Sequence, residues 1–174
     1  MAKLVLTAVG ADRAGLVSAL AAVVADVGGN WLESQMGRLA GIFAGIVLVD
    51  VPDAAVDAFS AAVAELGSAG VLDVKVTPAD ASAPAASGDP LNVFVLGHDR
   101  PGIVKEVSGA LASLGVTIVE LRTLTRDAPM GDGTLFEADA DVLVPAGVTQ
   151  DAVREAIEAL AHDLVVDLEA PDAD

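Results

Sequence analysis

The sequence contains no cysteine, which excludes disulfide bonds, thiol nucleophiles and thiolate metal ligands. Positive charge is scarce: nine Lys and Arg residues stand against 26 Asp and Glu residues, and the net charge is -17. Because proteins bind nucleic acids by neutralising phosphates, and no basic stretch is present, we expect no direct contact with DNA or RNA. The acidity also fits an ordinary solvated surface, which keeps a protein soluble.

Aromatic residues make up only 3% of the chain, whereas hydrophobic residues make up 53%. This composition predicts a core of small aliphatic side chains and few aromatic surfaces on which nucleobases could stack. No apolar run approaches the ~20 residues that a membrane span needs. The start of the chain, MAKLVLTAVG, lacks the basic and apolar regions of a signal peptide. We therefore expect a cytoplasmic protein that does not contact membranes.

The main organising feature is an internal repeat. The stretch VGADRAGLV at 9–17 recurs as LGHDRPGIV at 96–104, an offset of 87 residues. The same register holds without a gap over the segment 4–34. Because chance seldom preserves such a register with its glycines in place, the sequence predicts two copies of one module.

The composition between the copies predicts the domain boundaries. Residues 77–90, TPADASAPAASGDP, are rich in Pro, Ala and Ser and have few large apolar groups. Such a segment buries too little surface to offset its ordering entropy, so it is predicted to be a linker. The first module is then 1–76, the second is 91–169, and 170–174 form a frayed tail.

Hydrophobic periodicity predicts the same order of elements in both copies, β-α-β-β-α-β, which is the ferredoxin-like arrangement of an α+β fold. Strands are predicted over 3–9, 31–39, 42–51 and 71–76 in the first copy, and over 91–96, 117–126, 135–144 and 164–168 in the second. Helices are predicted after each first strand and each third strand. Copy two differs by an insertion, RDAPMGDGT at 126–134, between its paired strands.

The first helix of each copy follows a loop that recurs in both copies, GADRAG at 10–15 and GHDRPG at 97–102. Asp12 and Asp99 are predicted to cap these helices, because their carboxylates can accept orphan backbone N–H groups. Pro101 is expected in the first turn, where its missing N–H costs nothing.

These features resemble the ACT-domain family: a strand enters a D-R-x-G loop, a helix follows, and a polar residue stands at the start of the next strand. The tandem pair is similar to the glycine cleavage system transcriptional repressor group. The resemblance implies two ferredoxin-like (βαββαβ) ACT modules in tandem, which bind a small amino acid such as glycine where two modules meet. It also implies a homo-oligomer that acts through a protein partner such as a transcription factor.

The resemblance implies a ligand site formed by the loop after each first strand and by the start of each second strand. The candidate residues are Gly10, Asp12, Arg13, Ala14, Gly15, Asn30, Gly97, His98, Asp99, Arg100, Pro101, Gly102 and Thr117. A helix N-terminus favours the carboxylate of an amino acid, and Asp12 or Asp99 could accept from its ammonium group. We expect Asn30 and Thr117 to face the same loops. The alternative is structural: glycines that serve the turn, aspartates that only cap, and arginines in surface ion pairs.

Catalysis and metal binding find little support in the sequence. His98 beside Asp99 is the one candidate acid–base pair, and no nucleophile accompanies it. Glu137, Asp139 and Asp141 alternate in a predicted strand and should share one face, as a solvated surface or as a cation site. We expect no enzyme, no cofactor and no metal ion. The alternative to a ligand sensor is a ligand-independent protein-interaction module that docks by its sheet or its 126–134 loop.

Overall fold

A computed structural model describes residues 1–79, 87–131 and 133–170. The chain divides into two compact units, residues 1–83 and 84–174. In the described part of the chain, no helix has the length and the apolar character needed to cross a membrane.

The first module contains a four-stranded antiparallel sheet and two helices. Its elements are β1 (Ala2–Ala11), α1 (Leu16–Asp26), β2 (Asn30–Leu39), β3 (Ile42–Val51), α2 (Val56–Ser68) and β4 (Asp73–Pro78). The strand order is β2-β3-β1-β4, with every neighbouring pair antiparallel.

The second module repeats this architecture. Its elements are β5 (Asp89–His98), α3 (Ile103–Ser113), β6 (Thr117–Asp127), β7 (Thr134–Val144), α4 (Gln150–Glu158) and β8 (Val165–Glu169). The strand order β6-β7-β5-β8 matches that of the first module. The predicted fold class, a tandem of βαββαβ modules, is therefore confirmed.

In each module both helices cover the same face of the sheet. The core of the first module includes Leu4, Leu6, Ala8, Leu16, Leu20, Val24, Phe59 and Val63. The core of the second includes Leu91, Val93, Val95, Ile103, Val107, Leu111, Val153 and Ile157. Alternate strand residues and every fourth helix residue supply these side chains, which is the pattern that the sequence predicts. The other face of each sheet carries no helix of its own module.

The strands extend further than predicted at the ends of the segment 77–90. Thr77 and Pro78 belong to β4, where they pair with β1, and Asp89 and Pro90 begin β5. Residues 80–86 and 171–174, which include the middle of the predicted linker and most of the predicted tail, lie outside the described residues.

The first helix of each module begins differently from the prediction. Gly15 and Gly102 occupy the N-cap positions with φ of 91° and 90°, and neither helix has a side-chain cap. The left-handed glycine turns the chain after the loop, so Asp12 and Asp99 lie too early to reach the first turn. Their prediction as helix caps is wrong. Pro101 likewise precedes the cap residue and does not lie in the first turn.

The hairpin between the second and third strands distinguishes the modules. In the first module Ala40 and Gly41 both have positive φ, as in a two-residue type I′ turn. In the second module Ala128 N–H donates to the carbonyl of Gly133 at 2.8 Å, which closes a wider tip. The loop in the predicted insertion 126–134 is shorter than expected, because the ends of this segment belong to β6 and β7.

Candidate functional site

The first candidate loop connects β1 to α1 and is anchored on the neighbouring hairpin. The N–H of Asp12 donates to the carbonyl of Gly41 at 2.9 Å. Nη1 of Arg38 donates to the Asp12 carboxylate at 3.0 Å. Asp12 therefore joins the loop to the β2–β3 turn through both its main chain and its side chain.

The arginine of this loop is also engaged. Nη2 of Arg13 donates to the carbonyl of Gly70 at 3.0 Å, in the connection between α2 and β4. This contact spans 57 residues of sequence and fixes the loop to the start of β4, which pairs with the end of β1. Ala14 follows as an exposed residue ahead of Gly15.

The loop glycines serve two different physical needs. A Cβ at Gly10 would lie 3.0 Å from the Val71 carbonyl oxygen, and one at Gly97 would lie 2.5 Å from a methyl group of Leu164. These two glycines admit the chain that enters the last strand of each module. Gly15 instead has no atom within 4 Å of the Cβ position, so its requirement is the left-handed backbone and the space beside it is open.

In the second loop His98 is paired with Asp163, which precedes β8. The backbone N–H of His98 and its ring Nδ1 contact the same Asp163 oxygen, at 3.3 Å and 3.2 Å. The backbone hydrogen bond from His98 is the largest cause that lowers the pKa of Asp163. The first module has Ala11 at the position of His98.

Arg100 forms a bidentate ion pair with Glu106 of α3. The two nitrogen–oxygen distances are 3.0 Å and 2.5 Å. These hydrogen bonds raise the pKa of Arg100 and lower the pKa of Glu106. A guanidinium held in this way stabilises the loop and offers fewer donors to a ligand. Asp99 repeats the anchor of the first loop, since its N–H donates to the carbonyl of Thr134 at 2.8 Å.

Asn30 lies at the opposite end of the sheet from the loop of its own module. The strand register pairs it with Asp50, which pairs with Lys3 at the start of β1, whereas the loop follows Ala11 at the other end. Roughly 26 Å of strand separates the two positions. The expectation that Asn30 faces this loop is wrong, because α1 returns the chain to the starting edge before β2 begins.

The same geometry holds in the second module. Thr117 pairs with Leu143, which pairs with Pro90 near the start of β5, and the loop follows His98 at the far end. Thr117 is therefore also distant from its own loop. The remaining candidates of each module do come together, because they lie on one continuous loop.

The three alternating carboxylates of β7 share the open face of the sheet, as predicted. The Asn92 amide donates to Asp139 at 2.7 Å and to Asp141 at 3.0 Å, and Arg126 forms an ion pair with Glu137. Across residues 1–79, 87–131 and 133–170, no group of three or more Asp, Glu or His side chains is arranged to hold a metal ion.

Sequence reasoning missed the partners that hold the loops. Glu106 lies six residues after Arg100, so the start of an amphipathic helix gave a signal for that ion pair. Asp163 and Gly70 gave none, because their contacts depend on where the last strand of each module lies in the sheet.

The architecture defines the class of the protein: a tandem of ferredoxin-like modules, each with two helices on one face of an antiparallel sheet and a glycine turn ahead of the first helix. The sequence pattern of the ACT domain matches residues 2–77 and 90–170. The chain therefore belongs to the ACT-domain family of regulatory modules.

Two solved structures resemble the whole chain. An unknown protein from Galdieria sulphuraria has a TM-score of 0.81 and 28% identity, and the match covers 97% of each chain. A "putative glycine cleavage system transcriptional repressor" has a TM-score of 0.71 and 19% identity, over 97% of this chain and 96% of that one. The second likeness shows the shared fold. Among curated proteins, none matches this sequence.

Proposed function

We propose that this chain is a ligand-responsive regulator of amino-acid metabolism, with residues 1–76 and 91–169 as its two modules. It binds a small amino acid at its ACT loops and acts through a protein partner, without catalysing a reaction. The observation that carries the proposal is the open space beside the left-handed glycine ahead of each first helix. The Cβ position of Gly15 has no neighbour within 4 Å, and that of Gly102 has only a Glu106 oxygen at 3.9 Å.

The chemistry of this space suits the two charged groups of an amino acid. The N–H groups of the first helical turn have no partner within the helix and favour a carboxylate. The carboxylates of Asp12 and Asp99 can accept from an ammonium group, and the His98 ring adds a second polar group in the second loop. Ala14 and Pro101 border the same space.

We assign a supporting role to four of the candidates. Arg13 and Arg100 are engaged by the Gly70 carbonyl and by Glu106, so they hold the shape of each loop. Gly10 and Gly97 allow the close approach of the last strand.

Asn30 and Thr117 enter this proposal only through contact with another module. Each lies at the sheet end opposite its own loop. They can contact a ligand only where the loop of another module, from the same chain or from a second copy, is brought beside them. A homo-oligomeric regulator, which the family resemblance implies, is one arrangement that supplies such a loop.

Glycine is the first ligand to test, because one protein of the same fold is named as a glycine cleavage system repressor. A transcription factor is the corresponding partner to test. The net charge of -17 supports action through such a protein over direct contact with DNA. The cytoplasm remains the compartment that the sequence predicts.

Titration calorimetry of the purified full chain against glycine and the other amino acids tests the proposal. Gly102→Asp places a carboxylate at the helix start and should weaken binding about tenfold or more by repulsion. Gly102→Asn is the matched control, because Asn has nearly the same size and the same tolerance of positive φ without the charge. Gly15→Asp and Gly15→Asn report on the first loop. We expect unequal losses at the two loops, since their side chains differ.

Equal losses for the Asp and Asn variants would contradict carboxylate binding at the loops. Absence of binding by every amino acid would favour a ligand-independent interaction module. A pull-down from the expressing cell, with and without amino acids, separates the two functions. If the chain is a sensor, the amount of partner protein recovered should change when the amino acid is added. If it is a ligand-independent interaction module, that amount should stay the same.

A further inference from the structure

The two sheets differ on the faces that their helices leave open. On the first sheet, beyond the charged pair Lys3 and Asp50 at one end, the open face of the two central strands presents Val5, Thr7, Val9, Ala11, Ile42, Ala44, Ile46 and Leu48. Seven of these eight side chains are apolar. Several remain substantially exposed: Ile46 is 49% exposed, Ile42 is 48% exposed and Val9 is 43% exposed.

The matching positions of the second sheet are Asn92, Phe94, Leu96, His98, Leu135, Glu137, Asp139 and Asp141. Five of these eight are polar or charged, and the hydrogen bonds of Asn92 and the ion pair of Arg126 link them. This second face has the composition of a solvated sheet surface. Compared with it, the first face has the composition of a surface that a partner covers.

The first face is also shaped to receive side chains. A groove of about 210 Å³ lies over it, between Val5 and Leu48 on one side and Glu33 and Gln35 of the edge strand on the other, with Ile46 beside them. Interdigitating side chains fill such grooves when two sheets pack face to face.

We propose that the open face of the first sheet packs against the same face of a second copy of this chain, about a two-fold axis parallel to the strands. Two aligned antiparallel sheets then form a sandwich with a shared apolar layer. The interface is isologous, so the same patch serves both copies. It is independent of the ligand site proposed above.

Charge complementarity selects this axis. Rotation about it lays β2 of one copy over β4 of the other. By the strand register, Glu33 of β2 lies within one pleat repeat of the level of Lys75 on β4. The Glu33 carboxylate of each copy therefore lies near the Lys75 ammonium group of the other copy, which gives two such pairs per dimer. A two-fold axis across the strands would instead lay β2 over β2 and β4 over β4, which would leave Glu33 and Lys75 of different copies on opposite edges of the sandwich.

The size of the face sets the expected strength. Four strands about 4.8 Å apart and about eight residues long, at about 3.3 Å per residue, cover roughly 500 Å². Two copies together bury about 1,000 Å², near the lower limit for a specific interface. We therefore expect a dimer whose population rises with concentration.

Sedimentation velocity of the full chain from about 1 μM to about 300 μM tests the proposal. Ile46→Asp installs on the first face the residue type that the second face carries at the same position, Asp139. We expect the wild type to dimerise and Ile46→Asp to raise the dissociation constant about tenfold or more. Leu124→Asp is the matched control, because Leu124 is 53% exposed on the open face of the second sheet. It should dimerise as the wild type does.

The charge pair supplies a second readout. Lys75→Glu and Glu33→Lys should each weaken dimerisation about two- to fivefold, and the double variant should restore it. Circular dichroism checks that each variant is folded. A wild type that stays monomeric would overturn the proposal, because something other than a second copy would then cover the face. Unchanged dimerisation by Ile46→Asp, or equal loss by Leu124→Asp, would overturn it as well.

Discussion

The two modules differ in side-chain chemistry at places where their backbones agree. In the first loop Arg13 contacts a carbonyl and Ala11 contributes no polar group, whereas the second loop has the His98–Asp163 and Arg100–Glu106 pairs. Their glycines and their main-chain anchors correspond one to one. The comparison teaches that the repeated fold fixes the backbone requirements and leaves the surfaces free to specialise. The same holds for the open sheet faces, one apolar and the other charged.

The largest expected effect comes from a position where one module has glycine and the other has alanine. A Cβ at Gly45 would lie 2.5 Å from the Gln35 carbonyl oxygen and 2.6 Å from Cγ of Met36. In the second module Thr123 stands where the first has Met36, and Ala138 fits beside it. Gly45→Ala should lower the free energy of unfolding of the first module by about 2–3 kcal/mol.

Urea unfolding measures the effect in the first module by the fluorescence of Trp31, the only tryptophan, and circular dichroism of the full chain follows the unfolding of the second module. Ala138→Gly is the control in the second module and should cost about 1 kcal/mol, from backbone entropy and the loss of one buried methyl group. Equal losses for the two variants would show that the modules do not differ in packing at this point.

An effect of intermediate size on stability is expected at the start of the second helix of each module. The Thr149 side chain accepts a hydrogen bond from the Ala152 N–H at 3.1 Å and caps α4, whereas α2 follows a 3-10 turn and has no side-chain cap. Thr149→Ala should cost about 1 kcal/mol of unfolding free energy by thermal denaturation.

Asp53→Ala, in the turn before α2, is the control, because its exposed ion pair with the N-terminus contributes little. If Thr149→Ala unfolds at the wild-type temperature, the cap does not distinguish the two helices.

The smallest expected effect concerns the dependence of stability on acidic pH. The pKa values of Glu106 and Asp163 are lowered in the folded chain by hydrogen bonds from Arg100 and His98. A carboxyl whose folded pKa is lower than its unfolded pKa stabilises the fold above the unfolded value, and this contribution disappears as the pH falls through the folded pKa. Stability should therefore fall below about pH 5.

Glu106→Gln and Asp163→Asn should each lower stability at pH 7 and flatten its decline in acid. Thermal denaturation between about pH 3 and about pH 7 measures both slopes. Variants that decline as steeply as the wild type would show that these ion pairs do not contribute to the acid response of the second loop.

Local patterns made most of the fold predictable. Alternating strand residues and the four-residue spacing of Leu16, Leu20 and Val24 depend only on neighbours in sequence, so the elements and their order follow from them. The cap prediction at Asp12 failed because a left-handed Gly15 separates it from the helix. The prediction for Asn30 failed because proximity to the loop depends on strand direction, which no local pattern records.

The main-chain anchor of the loops has a consequence for the history of the repeat. Asp12 is bound to Gly41, and Asp99 is bound to Thr134, so the offset between the modules rises from 87 to 93 residues across the hairpin. The six additional residues therefore lie beyond the anchor. A duplicated copy could lengthen this tip by insertion while the loop after its first strand kept the same main-chain hydrogen bond. The tip of the second hairpin can therefore differ from that of the first without the loss of this support.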